Sequence, residues 1–542
     1  MKNFKVGLIL FLGLVFLTLL TGCGKSEKAN TNSSSSQEST AQSQSKEKIV
    51  SSKDYNENAT VIVGIKGGLL SLDPANYRDR VTESVLRNIF DGLVTRNAKG
   101  EVQPLVAESW ENPSPTEWIF NIRKGVKFHD GTPLTADDVK FTFDRIITEG
   151  GLGGETSPRK GLLGPLKEVQ KIDDYRVKFI LEEPWPILLK MLPHQQIVPK
   201  AYIERVGDKA FAEKPIGAGP FKLVEAKLDE RIVLERFDDY YGGSPEMEPV
   251  GPAKIKTLVF DVIPEVTTRI SALKRGEIQR VHALSPTLVT QLKNDPNIEV
   301  KMVDGTRVFM LEMNTKKPPF DNVKVRQAMN YAIDMDTIVE KVLEGYATRL
   351  AGPLLANGFG TNPDLKPYPY DPEKAKQLLA EAGYPNGFQL VIDTDQNNRE
   401  VAEAAAASLR KVGIDANTRV WDFGVLKPLL LNGERQMVMT DWGNSTQDPF
   451  DLLNPTIKTN GRGNYSLYSN PRVDELLSKA DVELDVEKRK QLYYEAQQII
   501  YEDAPWVFGY QLKEIEAGVK DLQGWEPSAD GMLYMPDAYM VK

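Results

Sequence analysis

Cysteine is almost absent. Cys23 is the only one in 542 residues, and only three histidines accompany it. A disulfide-stapled scaffold is excluded, and a zinc or iron site would have very few ligands to draw on. Positive charge is not in excess either: 67 Lys+Arg stand against 76 Asp+Glu, a net −9. No surplus is left to neutralise phosphates, which argues against a dedicated nucleic-acid binder. Catalytic signatures are missing as well. Gly64-x-x-Gly67-Gly68 and Gly151-x-Gly153-Gly154 match neither GxGxxG nor GxxxxGK[ST], and HExxH, CxxC and GxSxG do not occur. His129, His194 and His282 lie far apart in the chain and read as structural residues. The adjacent carboxylates Asp137/Asp138 and Asp238/Asp239 point differently and suit caps or solvent better than a glycosidase pair. We therefore expect no catalytic residue, no metal ligand and no cofactor, and read the chain as not an enzyme.

What is present is a long chain of globular composition, 41 % apolar and 26 % charged, enough for two or three domains. One long apolar run, Val6 to Leu20, follows Lys2 and Lys5. A helix of that length rises about 22 Å, short of the roughly 30 Å hydrocarbon core, so it reads as the apolar region of a signal peptide. It ends in Leu20-Thr21-Gly22-Cys23, which resembles the lipobox of bacterial lipoproteins. That resemblance implies cleavage after residue 22 and a diacylglyceryl group on Cys23, two chains that suffice for stable anchoring. From Gly24 to about Asn58 the composition is Ser, Gln, Asn, Lys and Glu, with five lysines balanced by five acidic residues. Such a segment reads as a flexible tether.

Beyond it, strand and helix signals mix. Residues 60–65, 117–122, 175–181, 221–224, 230–236, 256–261 and 306–312 read as strands. Thr135 is a good N-cap for a helix through Ile146, with Asp137 and Asp138 in its first turn. Asp321, Asp334, Asn470 and Asp485 are further caps, and Asp371-Pro372 opens the clearest helix, stopped by Gly383. Between 388 and 441 strand and helix alternate, which is α/β organisation. The stretch 437–468 stands apart. A β run ends in Trp442-Gly443-Asn444, then Asp448-Pro449-Phe450, then Arg462-Gly-Asn464-Tyr465. Aromatics, amides and an Arg directly after a strand suit a binding cleft, rigid apolar surface with short polar groups for orientation.

Several ordered pieces carry a resemblance: WIFNIRKGVKFHDGTPLTADDVKFTFDR at 118–145, Leu105–Trp110, KPIGAGPFKL at 214–223, RFDDYYGG at 236–243, 320–338, 370–383 and 470–480. Together they resemble the family-5 solute-binding proteins of ABC importers, which bind dipeptides, oligopeptides, nickel and opines. The resemblance implies an α/β, two-lobed periplasmic-binding-protein-like fold of type II, cluster C, with an additional inserted domain. The implied division is a signal peptide 1–22, a lipidated linker 23–58, lobe I from 59–91, 209–308 and 511–542, an inserted domain 92–208, and lobe II 309–510. The implied role is an extracytoplasmic lipoprotein, held at the cell membrane, that delivers a small solute to the permease subunits of an ABC importer. A peptide or peptide-like solute leads; an opine, a glutathione-like compound, an oligosaccharide or a metal chelate is the alternative. A same-fold surface protein for signalling, adhesion or chaperoning is the other. No nucleic-acid partner is expected, and the protein should be a monomer.

Within the family, the dipeptide binder pairs the peptide ammonium with an Asp three residues after a strand-end Trp. Matching Trp442 to that Trp puts Ser445 there. An Arg that pairs with the peptide carboxylate would fall near Ile392-Asp393, with Arg399 as the nearest cation. Both charged anchors are thus missing where expected. The candidate ligand residues are Trp442 as an apolar wall and Asn444 and Ser445 as neutral hydrogen-bonding groups. Asp448 is either a ligand contact or a loop cap, and Arg399, Arg462 and Tyr465 are weaker candidates. From Cys23 one outcome is expected: Cys23→Ala releases the protein from membranes without unfolding it. Membrane fractionation checks this, and a mutant that pellets as the wild type does would contradict the anchor.

Overall fold

The computed structural model describes residues 54–97, 100–245 and 251–542. The apolar run 6–20, Cys23 and the tether as far as residue 53 lie outside the described residues. The last residues of the segment read as a tether are held: Tyr55 bridges to Val541 and its ring lies 5.8 Å from that of Tyr539.

Among the described residues one sheet of eleven strands runs through the molecule. From one edge its order is Asp415–Trp421, Gln389–Asp395, Met437–Gly443, Ile298–Met313, Trp506–Val519, Arg280–Val281, Thr60–Ile65, Thr257–Val262, Arg231–Arg236 and Phe221–Lys227, with Ala347–Arg349 added beside Trp506–Val519. The two long central strands, Ile298–Met313 and Trp506–Val519, pair antiparallel and connect the two halves. Their register shifts between Asp304 and Val308 and again at Phe309/Met310, so the ladder bends where the halves meet. Gly305 sits at the first shift, its carbonyl accepting from Gln511 Nε2 at 2.7 Å.

Each half buries its own apolar side chains. One core gathers Val61, Val63, Leu86, Phe90, Ile232, Leu258, Phe260 and Trp525. The other packs Leu311, Val325, Met329, Leu379, Ile392, Ala405 and Leu409 beneath the parallel strands, with a neighbouring cluster around Tyr493, Ile500 and Trp506. A separate core is built by a four-stranded antiparallel sheet, Ala107–Ser114, Glu117–Ile122, Arg176–Leu181 and Leu166–Asp173, against the helix Ala136–Ile147. The long ordered piece at 118–145 lies here, away from the sheet that joins the halves.

Local chemistry explains most element ends. Thr135 and Asp138 form a capping box in which Asp138 accepts the Thr135 N–H at 2.9 Å. Asp371 accepts from Lys374 N at 2.9 Å ahead of the helix Pro372–Glu381, and Asp485 caps Val486–Asp503. Asn322, not Asp321, caps Val323–Ala332, because the chain turns one residue later. A short helix, Arg80–Leu86, is capped by Asp79, which accepts from Thr82 N. The strand Ala107–Ser114 runs through Pro113, on the sheet edge where a missing N–H costs no ladder bond.

Gly509 is the extra residue of the second register shift, between Phe508 and Tyr510. A Cβ there would collide with the Phe309 carbonyl oxygen, a backbone atom that no rotamer change can clear. Gly509→Ala should therefore destabilise the fold by about 1–3 kcal/mol. Urea unfolding measures it, and an unchanged midpoint would show that the bulge can relax.

Candidate functional site

The loop after Met437–Gly443 lies where the two halves and the separate domain converge. Trp442 ends the strand half-buried, and its indole Nε1 donates to the Asp451 carbonyl at 3.0 Å. Gly463 packs on one part of the ring, and the Arg462 guanidinium lies 4.5 Å from the ring centre. Trp442 is thus a platform for Arg462 and not a bare apolar wall. Asn444 is buried; its N–H donates to Thr306 O at 2.7 Å and its Oδ1 accepts from Asp448 N at 3.2 Å. That amide oxygen is turned into its own loop. Ser445 Oγ lies 3.0 Å from His194 Nε2 and 3.4 Å from Asp451 Oδ2.

Asp448 is fully buried and caps the helix Pro449–Thr456, accepting from Phe450 N at 3.2 Å. It also accepts two bonds from Arg489, at 2.7 and 2.8 Å, and one from Lys190 at 3.4 Å. This carboxylate is the cap and ion-pair anchor of the loop. Tyr465 is buried against Leu426, Leu430 and Val438, its phenol pushed up to about 12 by burial and the nearby Glu312 carboxyl. Arg399 begins the helix Arg399–Arg410, exposed, and pairs with Glu403 at 2.7 Å. The fold brings Trp442, Ser445 and Arg462 together, makes Asn444 and Asp448 their scaffold, and leaves Arg399 on a solvated helix. Asp393, where a cation was looked for, is closed off by Arg419 at 2.7 Å and Trp421 Nε1 at 2.7 Å.

Residues distant in sequence complete the site. Arg80 donates to the Asp530 carbonyl, and its guanidinium approaches Gly443 so closely that a Cβ there would collide with it. The same Cβ would stand 3.0 Å from Arg307 Nη1, which belongs to the guanidinium paired with Asp441 at 2.6 Å. Lys66, at the end of Thr60–Ile65, faces Arg307, Glu514 and Asp441; Arg78 faces Arg462, Arg159 and Asp451. Burial and, after it, neighbouring arginines hold Lys66, Arg78 and Arg80 below their ordinary pKa, while burial pushes Glu514 up. Lys66, Arg78 and Arg462 are nevertheless reached by solvent. Side chains both solvated and surrounded by protein line a cleft.

Asp451 brings a carboxylate beside Ser445, six residues later, from the first turn of Pro449–Thr456. Sequence reasoning missed it because helical geometry, not strand-end spacing, places it. Arg78 and Arg80 had a faint signal: they flank the N-cap Asp79, at the helix end where the macrodipole disfavours cations. Beside the loop, a pocket of about 90 Å³ with mixed walls is lined by Arg87, Arg96, Asp530, Ser445, Leu105 and Met532, among others. At its margin, His194 Nδ1 lies 2.7 Å from Glu83, and Nε2 faces both Arg96 and Ser445. Nε2 accepts from Arg96, so Nδ1–H donates to Glu83. Burial opposes the charged carboxylate of Glu83, yet His194 and Arg87 hold it well below the usual range. Among the described residues no group of three or more His, Cys, Asp or Glu could hold a metal, and no helix is long and apolar enough to cross a membrane.

A two-lobed sheet protein with a polar cleft between its halves defines a solute-binding fold. The profile of bacterial extracellular solute-binding proteins, family 5 (middle region), matches residues 101–464, and the chain belongs to that family. It is 32 % identical over 455 residues to the dipeptide-binding protein of Escherichia coli, covering 78 % of this chain and 84 % of that one. Against heme-binding protein A of Haemophilus influenzae it is 31 % identical over 453 residues, covering 78 % and 81 %. The solved structure of Helicobacter pylori DppA in complex with the peptide STSA superposes with a TM-score of 0.78 at 30 % identity, over 90 % of this chain and 99 % of that one. This chain is accordingly a non-catalytic, extracytoplasmic, membrane-anchored component of an ABC importer that binds a small solute and works with permease subunits.

Asp448→Ala should cost about 3–5 kcal/mol, because it strands the buried Arg489 guanidinium and removes the helix cap. Calorimetric melting reads the loss. A variant as stable as wild type would mean that Arg489 finds another partner.

Proposed function

We propose that the solute is a peptide or peptide-like compound, held in the cleft between Trp442, Ser445, Asp451 and Arg462 on one side and Arg78 and Arg80 on the other. The observation that carries this reading is the meeting of carboxylate and guanidinium groups at one strand-end loop, since a zwitterionic backbone needs partners of both signs. Asp451, 3.4 Å from Ser445 Oγ, is the partner for an ammonium group. The guanidinium groups are the partners for a carboxylate. The relative crystallised with STSA and Bacillus subtilis AppA, solved with a nonapeptide at 26 % identity, support the peptide reading.

In this reading the lobes are 59–91 with 209–308 and 511–542, and 309–510, with 92–208 inserted. They close by bending the two long strands near Gly305 and Gly509. Ser445–His194, Asp448–Lys190 and Phe450–Trp185 (ring centres 6.0 Å apart) then act as contacts of the closed form. Lipidated Cys23 keeps the receptor at the membrane as a monomer. Closure is a population shift driven by the solute's tighter binding to the closed form.

Small-angle scattering with saturating tripeptide should show a smaller radius of gyration than without it. Trp442→Ala should weaken that binding by about 2 kcal/mol, through loss of its packing and of the seat for Arg462. A constant radius, together with wild-type affinity in the mutant, would place the solute elsewhere.

A further inference from the structure

Five cations converge on the loop 441–451: Lys66, Arg78, Arg80, Arg307 and Arg462. Four carboxylates face them, Asp441, Asp451, Glu514 and Asp530, the last shared with Arg96 at 3.2 Å and Arg87 at 3.9 Å. Among the described residues only Arg307 of the five has an ion pair within 4.0 Å, with Asp441. Arg80 gives a hydrogen bond to a backbone carbonyl, and Arg78 does the same to Pro158 O at 3.2 Å. Arg462 rests on an indole face. Arg80 and Arg307 bring two guanidinium groups to one point above Gly443, whose missing side chain leaves the space they occupy.

Like charges held together in a confined cleft repel one another, and closing the cleft removes the water that screens them. Folded proteins usually meet such a cluster with carboxylates from the same chain. Here the chain supplies too few, and burial works against ionisation of Glu514. The counter-charge has to arrive from outside.

From this convergence we propose that the transported solute is an anion, carrying at least one carboxylate beyond the one a neutral zwitterion has, and that Arg78 and Arg462 grip it. This rests on the peptide-receptor reading above and narrows it. The planar fork of Arg462, pre-oriented by Trp442, and the solvent-reached fork of Arg78 suit bidentate contact with a carboxylate. Asp451, between them and Ser445, receives an ammonium group of the same molecule. An acidic short peptide or an amino-acid conjugate with two carboxylates meets both demands. A neutral zwitterion leaves the cluster half-answered, and a basic solute adds to the repulsion.

The test uses the full-length protein purified natively from its host. Mass spectrometry of the small molecule released on unfolding reads its charge. Titration calorimetry then compares wild type with Arg78→Gln, Arg462→Gln and Arg462→Lys, each checked by melting, with Ala-Glu-Glu, trialanine and trialanine amide as probes. The expected order is Ala-Glu-Glu tightest and the amide weakest, with affinity falling as salt rises. Each Gln variant should weaken Ala-Glu-Glu about tenfold or more, with partial recovery in Arg462→Lys. A released compound that is neutral or basic overturns the proposal and leaves solute binding intact. So do equal affinities for trialanine and Ala-Glu-Glu, or Gln variants that bind as wild type does. If nothing is released and no probe of any charge binds, the receptor reading itself fails and takes the proposal with it.

Discussion

The pairing of Ile298–Met313 with Trp506–Val519 is the constraint on which the rest of the molecule depends. These strands carry the sheet from one core to the other, so the position of each half is set by how this ladder bends. A straight ladder would leave one flat sheet. The shifts at Asp304/Val308 and Phe309/Met310 break it, with Gly305 and Gly509 where a side chain would meet the opposing backbone. Bulges sharpen local twist, and here the twist turns the ends of the neighbouring strands towards each other. Met437–Gly443 pairs with the second half of the first long strand, and Trp442 and Gly443 emerge beside Val308 and Arg307.

From that geometry follows the electrostatic character of the cleft. Arg307, Asp441 and Glu514 come from adjacent strands, while Lys66 and Arg80 come from the strand and helix of the other half. None of these groups is unusual alone. Their effect comes from crowding: burial and neighbouring charges lower the pKa of Lys66 and Arg80, and burial raises that of Glu514. The Asp448–Arg489 pair plays a different part. It is buried, doubly hydrogen-bonded and fixed to a helix cap, so it holds the loop in one shape and takes no part in the cleft's unmet charge.

The loop 443–451 shows how one short segment divides its work. Asn444 and Asp448 face inward and satisfy backbone groups that would otherwise be buried without partners. Ser445 and Asp451 face His194 and the arginines. Polar residues of similar type thus have opposite uses within eight positions, decided by which side of the loop they occupy. Phe450 reaches the separate domain at Trp185, so the same segment also packs on that domain's core.

Much of the fold was legible in the chain. The caps Thr135, Asp371, Asn470 and Asp485, the alternating elements between 388 and 441, and the resemblance at 118–145 each act over a few residues, where local hydrogen bonds and periodicity suffice. The strand-end loop was also marked, because Trp, Gly and Asn after a β run form a local pattern. Distance in the chain hid the rest. Lys66 and Arg80 meet Arg307 and Glu514, and Arg78 meets Arg462 and Asp451, only after residues hundreds of positions apart are brought together. Asp451 stands by Ser445 because a capped helix turns it there. Arg399, by contrast, lay near the expected cation in sequence and is drawn off by Glu403 on its own helix. Local free energies select helices, strands and caps. The sign of a cleft is a sum over long-range contacts, and that sum exists only once the chain has folded.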